Sequence, residues 1–264
     1  MGWYTGDVYY DTILAGSFVF AFLTALGSTM MDGPYGRFSS EKYGMTLNPK
    51  WGWFLMELPA TLSFVYFFFQ GPNATELVPL IFLGIWLIHY GNRGFIFPLL
   101  MRAPKGSASG FSIMIVIVGM LVTSVHGYLN ATFLTEFGRQ YTTAWLLDPR
   151  FIMGVSLYYM GFLINVHSDR IIRNLRTKEE VATGEKVYRI PKGGLFSLIT
   201  CPSYFSELLG WIGFAIASWS LGSLFVLLIS AANLIPRAFA THRWYQQKFD
   251  AYPENRKVLI PFVI

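Results

Sequence analysis

Apolar residues run along this chain in long stretches, near 12–30, 51–69, 77–100, 111–130, 151–167, 204–220 and 221–236. Each approaches the roughly 20 residues a helix needs to cross about 30 Å of hydrocarbon. The last two abut at Ser220-Leu221-Gly222, and together they are too long for one crossing, so a tight hairpin is predicted there. The fold class expected from this pattern is all-α, an integral membrane bundle of seven transmembrane helices in a single membrane domain over residues 1–264. Long polar connections are predicted at 31–50, 131–150 and 168–203.

The polar positions between the stretches set the orientation. One group of connections holds Arg37, Lys42, Lys50, Arg102, Lys105, Arg170, Arg173, Arg176, Lys178, Lys186, Arg189 and Lys192, and the same side takes the tail with Arg237, Arg243, Lys248, Arg256 and Lys257. The other side has little beyond Arg139 and Arg150. Basic connections stay cytoplasmic, so the N-terminus is predicted outside and the C-terminus in the cytoplasm, which needs an odd number of spans. Asp7 and Asp11, with no basic stretch, precede the first span, so it is expected to stay as a helix rather than be cleaved as a signal peptide.

Composition agrees with this class. The 264 residues are 53% hydrophobic and 13% charged, about half the charge of an average globular chain. The net charge of +5 is accounted for by the one-sided loops, so no nucleic-acid partner is invoked; topology determination and anionic-lipid contact are the plainer reading of the individual basic residues. A single cysteine, Cys201, excludes an intrachain disulfide, a redox pair and a cysteine metal cluster, and no metal site is expected.

Ionisable groups inside spans cost about 2.5–3.5 kcal/mol each on insertion scales, so each asks for a reason. Glu57 lies six residues into the second stretch, one turn beyond Trp53, with Pro59 after it; a proline kink there would open a pocket beside the carboxyl group. Structural pairing with a neighbouring helix is the plainer role. In "LIHYGNRGFIFP", Trp86, Tyr90, Arg93 and Phe97 fall at helical steps and share one face, flanked by His89 and Asn92, which favours a ligand-lined cavity over lipid. Asn165, Asp169, Arg173 and Arg176 recur at steps of four, four and three, a polar stripe leaving the membrane on the cytoplasmic side. Such a stripe suits a long anionic ligand whose phosphates stay at the interface; a surface Asp169–Arg173 pair is the alternative, and it leaves Asn165 unexplained. Glu207 precedes Trp211 by one turn, and Arg237, Thr241 and Tyr245 align at i, i+4 and i+8. With no strand-linked G-x-G-x-x-G and no Walker loop, a nucleotide could sit only among the helices.

"WFLMELPA", "HYGNRGFIFP", "INVHSDRIIRNLR", "YRIPKGGLF", "YFSELLGWIG" and "HRWYQQKFDAYPENRKVLIPF" together resemble the membrane steroid 5α-reductases, the 3-oxo-5α-steroid 4-dehydrogenases, in the same order from residue 53 to the C-terminus. The resemblance implies a seven-helix oxidoreductase that uses NADPH to reduce the 4,5 double bond of a 3-oxo-Δ4 steroid by hydride transfer to C5. It implies that Glu57 and Tyr90 hold the steroid 3-keto oxygen, with Trp53 beside substrate and cofactor. Arg102, Asn165, Asp169, Arg176, Tyr188, Glu207, Arg237 and Tyr245 match NADPH-contacting positions, as does Ser203, which stands where a pattern Asn contacts cofactor. Thr241 and Phe97 likewise replace a His and a Tyr. Residues 1–110 would then carry the substrate side with helices 1–3, and 111–264 the cofactor side with helices 4–7. The expected partners are a steroid or related lipid enone and membrane lipid, in a monomer. The membrane would be the inner membrane of a bacterium or the endoplasmic reticulum of a eukaryote. A polyprenol or enoyl-CoA reductase with the same cofactor remains an alternative, as do an isoprenylcysteine-type methyltransferase using S-adenosylmethionine and a small transporter or receptor with a polar core.

Overall fold

A computed structural model describes residues 4–30, 38, 44–103, 110–184 and 187–264. Arg37, Lys42, Lys105 and Lys186, four of the basic residues used to orient the chain, lie outside the described residues. The described chain is mainly helical: α1 Val8–Met30, α2 Pro49–Phe68, α3 Leu77–Tyr90, α4 Phe97–Leu100, α5 Ile113–Thr132, α6 Pro149–Asn174, α7 Lys178–Thr183, α8 Pro202–Ser218 and α9 Leu221–Lys248. Two short strands, β1 Thr46–Leu47 and β2 Phe111–Ser112, pair antiparallel beside the starts of α2 and α5. Every predicted apolar stretch falls on a helix. Among the described residues, five helical runs are long and apolar enough to cross a membrane: Val8–Met30, Leu77–Leu100, Ile113–Phe137, Pro149–Asn174 and Leu221–Lys248. α8, at 17 residues, is short for a crossing, and α2 dilutes its apolar run with Lys50, Glu57 and Pro59.

Local chemistry starts these helices where the sequence changes character. α2 and α6 both begin with proline, whose missing N–H and fixed φ suit the first helical position. In each, the residue before it caps the helix: Asn48 Oδ1 accepts from Lys50 N at 3.0 Å and Asp148 Oδ1 from Arg150 N at 2.9 Å. Between α8 and α9 the chain turns at Trp219 and Ser220, Trp219 adopting a left-handed φ of 49°. The hairpin thus closes slightly earlier than predicted, and Gly222 is not part of it. Gly222 lies inside α9 against α5, where an added Cβ would stand 3.2 Å from the Leu129 carbonyl oxygen.

The closest helix packing uses small residues, as expected where lipid offers no hydrophobic drive between helices. α6 and α8 meet backbone to backbone. A Cβ on Gly161 would stand 2.5 Å from Gly210 N, and one on Gly213 would stand 2.5 Å from the Gly154 carbonyl oxygen. α2 and α5 meet the same way, a Cβ on Gly127 standing 2.6 Å from Phe64 N. Hydroxyls tie that pair together: Ser63 Oγ donates to the Ser124 carbonyl at 2.7 Å and Thr123 Oγ1 to the Met56 carbonyl at 2.8 Å. α1 packs on α9 and hands Tyr10 Oη to the Leu129 carbonyl of α5 at 2.9 Å. Aromatic rings of Phe64, Phe82, Trp86, Tyr158, Trp211 and Phe214 fill the centre.

Loops gather at two opposite ends. At one end Asn73 N bonds the Thr135 carbonyl at 3.0 Å, while Tyr141 Oη and Trp145 Nε1 bond the carbonyls of Ser218 and Ala217. At the other end the strand pair, Met101–Ala103, the segment after α6 and the C-terminal tail come together, with Arg176 Nη1 donating to the Arg102 carbonyl and Thr200 N to the Lys257 carbonyl.

One predicted face runs into a break in the regular helix. Residues Gly91–Ile96 form a π-helical segment between α3 and α4, whose wider turn changes the residue count after it. Trp86 and Tyr90 lie in the aromatic core, each about 2% exposed or less, while Arg93 and Phe97 line a cavity.

Candidate functional site

A cavity of about 350 Å³ opens among α2, α3–α4, α6, α8 and α9 at the end where the strand pair and tail lie. Its charged lining is mostly cationic. Arg102, Arg173, Arg176 and Arg189 ring the loop end, Arg237 enters from α9, and Asp169 and Glu207 supply carboxylates. Arg176 Nε donates to the Val187 carbonyl at 2.9 Å, and its guanidinium lies 5.2 Å from the ring centre of Tyr188. Arg237 Nε donates to Tyr204 Oη at 3.1 Å.

Glu207 is the hub of a buried polar network. Its Oε1 accepts from Trp211 Nε1 at 2.9 Å, one helical turn on, and lies 3.3 Å from His89 Nε2 of α3. Its Oε2 accepts from Asn165 Nδ2 of α6 at 3.1 Å. Asn165 Nδ2 also reaches the Ser203 carbonyl at 2.9 Å, Ser203 Oγ donates to Asp169 Oδ1 at 2.8 Å, and Asp169 Oδ2 pairs with Arg93 at 3.5 Å. The Arg93 guanidinium lies over Trp53 and Phe97, 4.4 and 4.9 Å from the ring centres. Charges buried among apolar helices persist only when paired in this way. The i, i+4 spacing of Asn165 and Asp169 and the start of α8 at Pro202 are what bring the partners level. A second space of about 10 Å³, bounded by His89, Asn165, Glu207 and Gly210 among others, is the size of one water.

Of the residues picked from sequence, Trp53, Arg102, Asp169, Arg176, Tyr188, Ser203, Glu207, Arg237 and Tyr245 line the large cavity, and Asn165 lines the small one. Arg237, Thr241 and Tyr245 share the buried face of α9 expected from their spacing. Arg176 lies just past the end of α6 at Asn174, yet still reaches the wall. Glu57 and Tyr90 border neither space. Glu57 packs against the π-helical turn, its Cβ 3.2 Å from where a Cβ on Gly94 would be. Arg93 and Glu207 act electrostatically on both Glu57 and the Tyr90 hydroxyl. Tyr204 and Phe196 also line the cavity and were not picked; Tyr204 stands one turn before Glu207, the spacing that could have revealed it.

The sequence profile of a family described as 3-oxo-5-alpha-steroid 4-dehydrogenase matches residues 109–264. A rat protein named 3-oxo-5-alpha-steroid 4-dehydrogenase 1 is 37% identical over 247 residues, covering 92% of this chain and 91% of its own. This chain belongs to the 3-oxo-5-alpha-steroid 4-dehydrogenase family. The mouse protein of the same name is 38% identical over 247 residues, 92% of each chain. A plant relative, the steroid 5-alpha-reductase DET2 of Gossypium hirsutum, is 33% identical over 248 residues, 93% of this chain and 94% of its own. The chain is therefore a member of an oxidoreductase family, and its five long apolar helices make it an integral membrane protein.

Proposed function

We propose that this chain reduces the 4,5 double bond of 3-oxo-Δ4 steroids with NADPH, inside a bundle that crosses the membrane seven times with its C-terminus in the cytoplasm. The observation that carries the reading is the Arg-ringed cavity among the helices, reaching from Arg176 and Arg102 inward to Glu207 and Trp53. The lining fits a phosphorylated dinucleotide in its chemistry. Guanidiniums match phosphates as bidentate donors, Tyr188 and Tyr245 offer ring faces, and the buried Thr241 Oγ1 on the cavity wall has no hydrogen-bond partner among the described residues. Arg102, Arg176, Tyr188, Arg237 and Tyr245 would hold the charged part, with Asn165, Asp169, Ser203 and Glu207 on its polar edges.

NADPH, when bound, would supply a hydride to carbon 5 of the enone, and a proton from water would complete the product at carbon 4. The chain's own task is to stabilise the negative charge that then develops on the 3-keto oxygen. Tyr90 donates to that oxygen as a phenol, and Glu57 donates to it in its protonated form. Losing one such donor costs about 2.7–4 kcal/mol of barrier. The network around Glu207 holds α3, α6 and α8 in register, so the donors and the cavity keep a fixed relation.

The test uses detergent-purified protein, NADPH and progesterone. The nicotinamide absorbance should fall in step with appearance of the 5α-dihydro product by mass spectrometry. NADPH left unconsumed with every enone tried, or methyl transfer from S-adenosylmethionine, would remove the proposal.

A further inference from the structure

His126 of α5 is buried, and its Nδ1 lies 3.4 Å from the Tyr90 hydroxyl of α3. Its ring stands edge-on to Phe225 of α9, centroids 5.4 Å apart. Its other nitrogen, Nε2, is buried and has no hydrogen-bond partner among the described residues. An unpaired buried polar group costs about 1–3 kcal/mol, so an apolar side chain at this place beside Phe225 and Tyr90 would be the more stable choice.

The contact with Tyr90 gives the imidazole a purpose. A phenol has one hydrogen to donate, and the proposed reduction uses it on a carbonyl oxygen. That hydrogen is available only if Tyr90 Oη accepts, rather than donates, in its contact with His126. A neutral imidazole carries one N–H. With that hydrogen on Nδ1, the ring donates to Tyr90 Oη and leaves Nε2 as a bare acceptor. With it on Nε2, Tyr90 would give its hydrogen to Nδ1 and the ring would keep a buried, unpaired N–H, which is the rarer kind of orphan in folded proteins. Only the first arrangement leaves the phenolic hydrogen free for another acceptor.

We propose that His126 is a positioning residue for the reduction: as the Nδ1–H form it donates to the Tyr90 oxygen, fixes the phenol and leaves the phenolic hydrogen for the substrate carbonyl. The inference rests on the reading of Tyr90 under Proposed function. A phenol that accepts one hydrogen bond donates a stronger one, so the effect belongs in kcat rather than in either KM.

The experiment is a double-mutant cycle on the detergent-purified full chain with NADPH and progesterone, each variant's melting midpoint being followed as well. His126→Leu lowers kcat by about tenfold, with both KM values within about twofold. His126→Asn, whose amide nitrogen falls where Nδ1 was, recovers kcat to within about threefold of the original chain. In a Tyr90→Phe background His126→Leu changes kcat by less than about twofold, because the two groups act as a unit. Wild-type kcat in His126→Leu overturns the proposal, as does an Asn variant no better than Leu or an equal loss in both backgrounds. Should Tyr90→Phe itself run at the original rate, the reading of Tyr90 fails and takes this inference with it. A damaged Tyr90→Phe beside an undamaged His126→Leu sinks only the inference.

Discussion

The α6–α8 pair and the α2–α5 pair pack equally closely through glycine, yet they treat buried polar groups differently. On α6 and α8, Asn165, Asp169, Ser203, Glu207 and Trp211 join one another in an unbroken network. On α2 and α5, Ser63 and Thr123 are bonded to backbone, but Thr61 Oγ1, His126 Nε2 and Thr132 Oγ1 have no partner among the described residues. Burying a charge without a partner is far more costly than leaving a neutral hydroxyl or imidazole short of one bond. The charged half is consequently finished before any ligand arrives, and it surrounds the cavity suited to phosphates. The other half keeps spare hydrogen-bonding capacity in an apolar setting, which under the proposed function would meet an uncharged lipid carrying a ketone. One interior thus treats its buried polar groups in two ways.

The sharpest way to break this division is Glu57→Leu. It removes a donor on the α2–α5 side, so kcat for progesterone reduction should fall by about 10²–10³-fold while NADPH affinity, measured by fluorescence titration, stays unchanged. A weakened NADPH dissociation constant would show that the two halves are not separate. Arg176→Ala should do the converse, weakening NADPH binding by about 10–100-fold through a lost charge-assisted contact with little change in kcat at saturating cofactor. Unaltered affinity would remove Arg176 from phosphate binding.

A smaller effect tests the packing that both halves share. Gly213→Ala places a Cβ against the backbone of Gly154 and Tyr158, and overpacking of this kind costs about 1–3 kcal/mol. The melting midpoint in detergent should fall clearly. Gly119→Ala meets only the flexible Met56 side chain and should melt close to the original chain; equal losses would refute the distinction between backbone and side-chain contact.

The smallest effect lies outside the helices that cross. Glu180 completes a capping box with Thr177 at the start of α7, and its pair with Arg189 pulls its carboxyl down from 4.5 to about 2. A depressed folded value means the pair's contribution is complete above 4.5 and is lost as pH falls through about 2. Glu180→Gln should therefore melt slightly below the original chain at pH 7, and the difference should shrink between pH 4.5 and 2. A gap that persists at the acid end would show that the Glu180 charge is not what stabilises this turn.

Much of this could be read in the chain itself. The apolar runs fixed where helices form because a helix satisfies its backbone internally whatever surrounds it. The steps of three and four among Asn165, Asp169 and Arg173, and among Arg237, Thr241 and Tyr245, placed them on common faces because helical periodicity is local. Where the backbone left the regular helix, that logic failed. The π-helical turn at Gly91–Ile96 breaks the α-helical count after Tyr90, and no spacing rule for an α-helix anticipates the added residue. Gly222 read as a turn because glycine serves turns and close approaches alike, and only the presence of α5 beside it tells which. Tyr204 shares a wall with Glu207 through local helical spacing, but its partner Arg237 comes from α9, which no local rule gives.

The sequence by itself determined the class of molecule, the position of its helices, the residues too polar to face lipid and the family, because all of these depend on composition and on neighbours within a few positions. Only the tertiary structure decided which of those polar groups meet. The joining of His89, Glu207, Asn165, Ser203, Asp169 and Arg93, and the isolation of His126 beside Tyr90, depend on how closely glycine lets four separate helices approach, a distance set by side chains far apart in the chain.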